Sequence, residues 1–215
     1  MKKLLIFDLD GTLLDTRKDL ARAVNKMREH YNLEHLSLET IVSYVGNGIT
    51  KLAERALSDC MSDKNKPQSA EAAAVISKYY ADKLCVDTRP YPGVVEGLKE
   101  LCKRNDAKLV VITNKPEVPA RELCERTGIS DYFDHIFGGD SFNNMKPHPE
   151  PLLGALKITD CNIDGSWMIG DNYTDLEAGR RAELSCCFCE YGFGNPKQET
   201  GYKTIASFSE LLDII

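Results

Sequence analysis

Two aspartates separated by one residue follow the first apolar run of the chain. The run Leu4–Phe7 contains no charge, and it ends at the turn-forming sequence DLDGT, which contains Asp8 and Asp10. A short apolar run bounded by turn residues is typical of a strand that is buried on both faces. In open α/β sheets, ligands bind just beyond the carboxyl ends of the strands. The sequence therefore predicts two carboxylates at a ligand-binding edge.

Carboxylates at positions i and i+2 can divide the work of a displacement reaction. Asp8 could attack a phosphorus or carbon centre, while Asp10 passes a proton to the leaving group and later takes one from water. Two negative charges beside an anionic substrate require a cation, and an all-oxygen ligand set suits Mg²⁺. The alternative interpretation is structural, because aspartate is also common in the turns that follow strands.

Polar side chains follow two further predicted strands. Thr113 ends the apolar sequence KLVVIT and Asn114 follows it, so both could bind phosphate oxygens or, equally, cap the next helix. Lys146 opens the sequence KPHP, which comes after a short strand and its loop. Because the prolines restrict the backbone of this turn, Lys146 is better explained as a clamp for a phosphate or carboxylate than as a solvated lysine.

A second acidic pair follows the apolar sequence WMIG. Asp171 comes at the carboxyl end of this predicted strand and can supply a further metal ligand. Asp175 begins the next helix, where a negative charge is favourable without any role in the site, so contact with the metal site and simple capping both stay open. The strand-end residues expected to meet at one edge of one sheet are Asp8, Asp10, Thr113, Lys146 and Asp171.

Strands and helices alternate over most of the chain, which predicts an α/β fold with a doubly wound, Rossmann-like parallel sheet. The strands are predicted at Leu4–Phe7, Lys108–Thr113, His135–Gly139, Trp167–Gly170 and Ser185–Tyr191. The helices are predicted at Val94–Arg104, Glu117–Thr127, Pro149–Leu156 and Thr174–Ala182, and a capping box at Ser207–Glu210 opens a last one. No G-x-G-x-x-G motif follows the first strand, so a dinucleotide site is not supported.

The stretch between residues 16 and 89 has a different pattern, with helical periodicity and no strand signal. Its helices are predicted at Asp19–Tyr31, Leu38–Val45, Ile49–Met61 and Ala70–Leu84. The sequence therefore predicts a bundle of about four helices inserted after the first strand.

Composition excludes several classes of protein. The formal net charge of -6 argues against a nucleic-acid-binding protein, and no apolar stretch approaches membrane-spanning length. The apolar run after Lys2 and Lys3 is too short for a signal peptide, so we expect a cytoplasmic protein with reduced cysteines. The role of Cys186, Cys187 and Cys189 stays open, because the paired spacing of a zinc site is absent.

Four segments together resemble the haloacid dehalogenase superfamily of phosphotransferases. They are DLDGTLLDT at 8–16, ITNK at 112–115, KPHPEPL at 146–152 and GDNYTDLEAG at 170–179. Within this superfamily the chain looks most like phosphoglycolate phosphatases, through segments such as VGNGITKLAERAL at 45–57 and RPYPGVVEGLKEL at 89–101. The resemblance implies that residues 16–89 form a small helical cap on a core domain made of residues 1–15 and 90–215.

The resemblance also implies a role for each matching residue. Asp8 would be the nucleophile that forms an aspartyl-phosphate, and Asp10 would be the general acid and then the base. Mg²⁺ would be held by Asp8, by the backbone carbonyl of Asp10 and by Asp171. The residues expected to bind the transferring phosphoryl group are Thr113, Lys146, Asn114 and, through its backbone, Gly11.

The identity of the substrate is not fixed by these motifs. The resemblance favours a small phosphorylated metabolite, with 2-phosphoglycolate first, and Lys51 and Arg55 are candidates for binding its carboxylate unless they are ordinary solvated helix residues. Three alternatives remain: a sugar phosphomutase, a nucleotide or pyrophosphate phosphatase, and a non-catalytic binding protein on the same fold. The oligomeric state stays open as well.

Overall fold

Eight strands and eight α-helices make up the fold of the computed structural model, which describes residues 2–60 (Cys60 by its backbone only) and 67–215. The strands are β1 (Lys3–Phe7), β2 (Leu14–Asp15), β3 (Arg89–Pro90), β4 (Ala107–Ile112), β5 (His135–Phe137), β6 (Asn162–Gly170), β7 (Ser185–Cys189) and β8 (Lys203–Ile205). The helices are α1 (Arg17–His30), α2 (Leu38–Ser43), α3 (Ile49–Ala56), α4 (Ser69–Asp82), α5 (Val94–Arg104), α6 (Glu117–Arg126), α7 (Glu150–Thr159) and α8 (Tyr173–Arg181). Short 3₁₀ helices lie at Ser58–Cys60, Ser130–Tyr132 and Phe208–Asp213.

Six of the strands form one parallel sheet, which confirms the predicted fold class. Their order across the sheet is β5-β4-β1-β6-β7-β8. The chain therefore winds outward in one direction from β1 through β4 and β5, and then returns to add β6, β7 and β8 on the other side. The order reverses between β1 and β6, and such a switch point is where ligands bind in open α/β sheets.

The two faces of the sheet are covered by different helices. Alternate residues of a strand point to opposite faces, so Leu5 and Phe7 of β1 pack into one apolar cluster and Leu4 and Ile6 into the other. The first cluster includes buried side chains of α5 and α6, and the second includes those of α7 and α8. Burial on both faces explains why β1 is a continuous apolar run rather than an alternating one.

Helices α1–α4, which we call the inserted helices, lie between β2 and β3 in the chain. The two short strands pair antiparallel, Leu14 with Pro90, so the chain leaves and re-enters the sheet region at one place. Asp19, a buried residue of α1, fixes this junction because its carboxylate accepts hydrogen bonds from the backbone N–H (2.9 Å) and hydroxyl (2.7 Å) of Thr88. The division into a core (1–15 and 90–215) and a cap (16–89) stays a prediction.

Several element boundaries differ from the prediction. Strand β8 and the two-residue strands β2 and β3 were not predicted, because strands this short carry no period of their own. The helix predicted over Ile49–Met61 ends at Ala56, and Met61 lies outside the described residues. The last helix is 3₁₀, and the Ser207 hydroxyl donates to the Glu210 carboxylate (3.0 Å) instead of capping the helix backbone.

Candidate active site

The carboxyl ends of neighbouring strands bring the predicted site residues to one edge of the sheet. Asp8 follows the central strand β1, Thr113 follows β4, and Asp171 follows β6. Lys146 reaches the same place from the loop between β5 and α7. Asp8 and Asp171 therefore flank the point at which the strand order reverses, where the topology favours a ligand.

Lys146 is buried between two carboxylates. Its Nζ lies 2.9 Å from Oδ1 of Asp8 and 2.7 Å from Oδ1 of Asp175, and it also donates to the carbonyl of Ile112. Burial alone would lower the pKa of Lys146, but the negative charges of Asp175 and Asp8 raise it above the ordinary lysine value. The lysine is therefore a fixed positive charge beside Asp8.

Asp171 is held on the other side of this pair by backbone groups. Its Oδ2 accepts hydrogen bonds from the N–H groups of Phe193 (3.0 Å) and Gly194 (2.7 Å), and its Oδ1 accepts one from the Thr12 hydroxyl (3.2 Å). Burial raises the pKa of Asp171 well above the ordinary range, and the charge of Asp8 adds to the rise. A cation beside this carboxylate would favour its ionised form.

The carboxylates of Asp8, Asp171 and Asp175 form a cluster that fits a hard divalent cation. One oxygen of each lies within 4.8 Å of the others, and oxygen-only ligands suit Mg²⁺. Gly11 leaves room for the cluster, because at its φ of +97° an added Cβ would collide with the Asp171 carboxylate. The predicted metal ligands Asp8 and Asp171 are thus together, and Asp175, left open by the sequence, completes the acidic cluster.

Asp175 caps α8 and also pairs with Lys146, and its contact with a metal stays a prediction. Its Oδ2 accepts a hydrogen bond from the backbone N–H of Asn172 (3.0 Å), which closes a capping box at the start of α8. Its Oδ1 pairs with Lys146. The helix cap therefore orients the carboxylate that shares Lys146 with Asp8.

Lys115, which the sequence analysis did not select, binds the second motif aspartate. Its Nζ lies 2.9 Å and 3.2 Å from the two carboxylate oxygens of Asp10, and 4.5 Å from the centre of the Tyr80 ring on α4. Burial by itself would lower the pKa of Lys115, but the charge of Asp10 raises it above the ordinary lysine value. Lys115 is the third residue after β4, near the same edge of the sheet as Asp8, and that position could have identified it.

Two predicted phosphate-binding groups already have partners. The Asn114 amide nitrogen donates to the carbonyls of Gly46 and Lys146, both at 2.8 Å, and the Gly11 N–H donates to the carbonyl of Leu14 (2.9 Å). In this arrangement neither group has an N–H available for a phosphate. Asn114 instead ties a turn of the inserted helices to the loop that carries Lys146. Thr113 stays available, because its hydroxyl oxygen accepts from the Lys115 N–H (3.3 Å) and its own proton is uncommitted.

A cavity of about 310 Å³ lies over these residues. We call its strand-end side the floor, formed by Asp8, Asp10, Thr113, Lys115, Lys146 and Asp171. We call the side contributed by the inserted helices and the turn before α3 the roof, formed by Leu20, Val45, Gly46, Gly48, Ile49, Leu52, Ile76, Ser77, Tyr80, Ala81 and Leu84. The floor is charged, whereas no described roof residue is. A small anion can therefore reach Asp8 while the rest of the molecule faces a mainly apolar wall.

Comparisons with known proteins agree with this geometry. The model of the family described as haloacid dehalogenase-like hydrolase matches residues 5–189. The chain belongs to this family. It is 40% identical over 190 residues to a phosphoglycolate phosphatase of Neisseria meningitidis serogroup A, covering 88% of this chain and 80% of that protein. It is 32% identical over 213 residues to a phosphoglycolate phosphatase of Aquifex aeolicus, covering 99% of this chain and 96% of that protein.

A solved structure of a predicted phosphoglycolate phosphatase from Haemophilus somnus superposes on this haloacid dehalogenase-like hydrolase with a TM-score of 0.91. The two chains are 28% identical, and the match covers 99% of this chain and 97% of the other. These relatives confirm the prediction of a phosphatase in this family. None of the described helices of this hydrolase is long and apolar enough to span a membrane.

The two basic residues expected to read the substrate do not line the cavity of this family member. Lys51 lies on an exposed face of α3 and pairs with Glu54 (2.7 Å). Arg55 donates to the carbonyl of Tyr44 (2.7 Å) and to Asn47 Oδ1 (2.8 Å), which holds the turn before α3. Binding of the substrate carboxylate by Lys51 or Arg55 stays a prediction, and these contacts do not support it.

The three cysteines on β7 do not form a common site. Adjacent residues of a strand point to opposite faces, and Cys186 packs into one apolar cluster while Cys187 and Cys189 pack into the other. Burial raises the pKa of Cys186 to about 11 and that of Cys187 to about 12, so both thiols stay neutral near pH 7. All three are free thiols that fill the core around the sheet.

Proposed function

We propose that the protein is a Mg²⁺-dependent phosphatase that hydrolyses a small phosphorylated metabolite through an aspartyl-phosphate intermediate, with 2-phosphoglycolate as the first candidate substrate. The observation that carries this proposal is the position of Asp8. Its carboxylate lies at the switch point of the sheet, on the floor of the cavity, and pairs with the buried ammonium of Lys146. A carboxylate so placed can meet a phosphate dianion without facing it as an uncompensated charge.

In the first step, an oxygen of Asp8 attacks phosphorus. A bond forms between this oxygen and phosphorus, and the bond from phosphorus to the leaving oxygen breaks. In this proposal Lys146 and the Thr113 hydroxyl, which both line the cavity, bind the transferring group, and Lys146 reduces the repulsion between two anions. The Asp175 carboxylate keeps the Lys146 ammonium in position.

In this proposal Asp10 handles the protons of both steps. As the leaving oxygen departs, the carboxyl group of Asp10 donates its proton and an alcohol is released. Asp10 then takes a proton from water, which attacks the phosphorus of the aspartyl-phosphate and breaks its bond to Asp8. The products are phosphate and the regenerated Asp8 carboxylate.

Mg²⁺ is the cofactor that this acidic cluster would hold. Its proposed ligands are Asp8, Asp171 and the backbone carbonyl of Asp10, with Asp175 close enough to contribute. Bound there, the ion supplies positive charge that offsets the charge of the carboxylates and the phosphate. The roles of all these residues are part of the proposal.

We further propose that residues 16–89 act as a cap. The roof residues lie on or beside the inserted helices, and these connect to the rest of the chain at the junction of β2 with β3. Movement about this junction would admit the substrate and then shield the intermediate from bulk water.

A phosphate-release assay tests the function. The panel contains 2-phosphoglycolate, a nucleoside monophosphate, pyrophosphate, a sugar phosphate and p-nitrophenyl phosphate, each with Mg²⁺ and with EDTA. We expect Mg²⁺-dependent release, fastest from 2-phosphoglycolate, and a loss of about 10⁴-fold or more in Asp8→Asn. The exposed Asp164→Asn variant is the matched control and keeps wild-type activity. Activity that survives in Asp8→Asn, or a rate unaffected by EDTA, contradicts the mechanism.

A further inference from the structure

The cations of the cavity are unevenly distributed. Of the described residues that line it, only Lys115 and Lys146 carry a positive charge, and both belong to the floor. The roof contributes apolar side chains together with glycine backbone, one serine and one tyrosine. Among the described lining residues, an anionic group on the substrate can therefore find a cationic partner only on the floor, and an unpaired charge is costly against an apolar wall.

The two lysines differ in the number of partners they hold. Lys146 contacts two carboxylates, Asp8 and Asp175, and it keeps Asp175 when Asp8 reacts. Lys115 contacts the carboxylate of Asp10 alone, with the Tyr80 ring on its other side. Lys115 is also buried, with 8% of its surface exposed, so little water can replace a lost partner.

Catalysis disturbs the pair of Lys115 with Asp10. Both oxygens of Asp10 lie within hydrogen-bond distance of the Lys115 ammonium, whereas the proposed reaction requires this carboxyl group at the leaving oxygen. When Asp10 carries its proton or turns one oxygen to the leaving oxygen, the buried Lys115 ammonium loses part of its charge compensation, and an incompletely paired buried cation is costly. A negative charge carried by the leaving group would take the vacated place.

We propose that Lys115 is the specificity-determining residue that binds an anionic group on the leaving alcohol, so that the substrates are monophosphates of short hydroxycarboxylates. This inference rests on the proposed function and extends it. The phosphoryl group lies at Asp8, the carboxylate of the leaving alcohol pairs with Lys115, and the carbon skeleton between them faces the roof. The inserted helices then select by shape and Lys115 selects by charge.

Two substrates that differ only in charge test the inference: 2-phosphoglycolate and its uncharged amide, 2-phosphoglycolamide. We expect wild-type kcat/KM to favour the carboxylate. In Lys115→Met, kcat/KM for 2-phosphoglycolate should fall on the order of 10- to 100-fold more than that for the amide, which is the effect of losing one charge-assisted hydrogen bond. Lys115→Arg should keep part of the preference. Lys103→Met removes an exposed lysine that pairs with Glu100 on α5, and it should leave both values unchanged.

Two results would overturn the inference. One is an equal fall for both substrates in Lys115→Met, which would make Lys115 only a positioning residue for Asp10. The other is a wild-type enzyme that prefers the amide, and this result counts even if Lys115→Met does not fold.

A binding measurement separates failure of this inference from failure of the proposed function. Calorimetry on Asp8→Asn, with and without Lys115→Met, compares the affinities for the same two compounds without turnover. Charge-selective binding that depends on Lys115, together with a wild-type protein that releases no phosphate from any compound of the panel, would refute the function and support the inference. Phosphate release without such selectivity would refute the inference alone.

Discussion

The floor and the roof of the cavity differ in the polarity of their side chains. The floor consists mainly of charged side chains at or near strand ends, paired at distances such as 2.9 Å between Lys146 and Asp8. The roof consists of helix residues such as Leu52 and Ile76, which are buried because they are apolar. The floor can therefore supply the chemistry of phosphoryl transfer, whereas the roof can only shape and desolvate what binds there. Substitutions in the floor should therefore affect catalysis as well as stability, whereas substitutions in the roof should mainly affect stability.

The largest effect is expected where the charge balance of the floor is broken. Lys146→Met leaves the buried carboxylates of Asp8 and Asp175 without their shared cation. We expect the free energy of unfolding to fall by about 3–5 kcal/mol. We also expect kcat/KM to fall by about 10³-fold, since the group proposed to offset the charge of the phosphate is lost.

Denaturant unfolding and phosphate release measure the two effects of Lys146→Met. The control is Lys157→Met, which removes an exposed lysine of α7 and should change neither quantity. A Lys146→Met protein with wild-type activity would show that the floor does not depend on this cation.

A change in the roof should affect stability more than chemistry. Leu52→Ala removes a buried side chain of α3 that lines the cavity, so we expect unfolding to become easier by about 2 kcal/mol. The kcat for p-nitrophenyl phosphate should change by less than about 3-fold, because no floor contact is altered. Leu153→Ala, at an exposed position of α7, is the control for stability. A large fall in kcat for Leu52→Ala would contradict the conclusion that the roof contributes to stability but not to the chemical step.

The floor should also make stability depend on pH when no divalent cation is present. Burial and the charges of Asp8 and Asp175 raise the pKa of Asp171. An acid whose pKa is raised binds its proton more tightly in the folded protein, so stability is lost as the pH rises from about 4 through the folded-state pKa. In EDTA we expect the free energy of unfolding to fall between pH 4 and pH 7 because of this group.

Thermal or denaturant unfolding at several pH values isolates the contribution of Asp171. Asp171→Asn should flatten the profile, Asp164→Asn should not, and Mg²⁺ should stabilise the wild type more at pH 7 than at pH 5. Equal slopes in wild type and Asp171→Asn would contradict the role given to this carboxylate.

The sequence predicts the floor well because strand-end chemistry is local. Asp8 and Asp171 each follow an apolar run directly, and parallel strands bring such positions to one edge whatever the loops do. Lys115, the third residue after β4, does not follow an apolar run directly. It was missed because its partner, Asp10, lies 105 residues away in the chain and the pairing is visible only in the fold.

The roof is not predictable in the same way. Helical periodicity identified the inserted helices and their apolar faces, but it does not say which apolar residues pack on one another and which line a cavity. Lys51 and Arg55 illustrate the difficulty, since both lie in a suggestive segment of the sequence. In the structure Arg55 donates to the carbonyl of Tyr44 and Lys51 pairs with Glu54. The residues of α3 that line the cavity are the uncharged Ile49 and Leu52.

The smallest effect is expected where the floor and the roof meet, at Tyr80 and Lys115. The ammonium lies 4.5 Å from the centre of the ring, and an ammonium over an aromatic face is attracted by the ring rather than by its hydroxyl. Burial raises the pKa of the Tyr80 hydroxyl to about 12, so this group carries no charge near pH 7. Tyr80→Phe should therefore change the free energy of unfolding by less than about 0.5 kcal/mol, while Tyr80→Leu should lose about 1 kcal/mol. Denaturant unfolding of the two variants measures this difference. If Tyr80→Phe proves as harmful as Tyr80→Leu, the hydroxyl rather than the ring joins the roof to the floor.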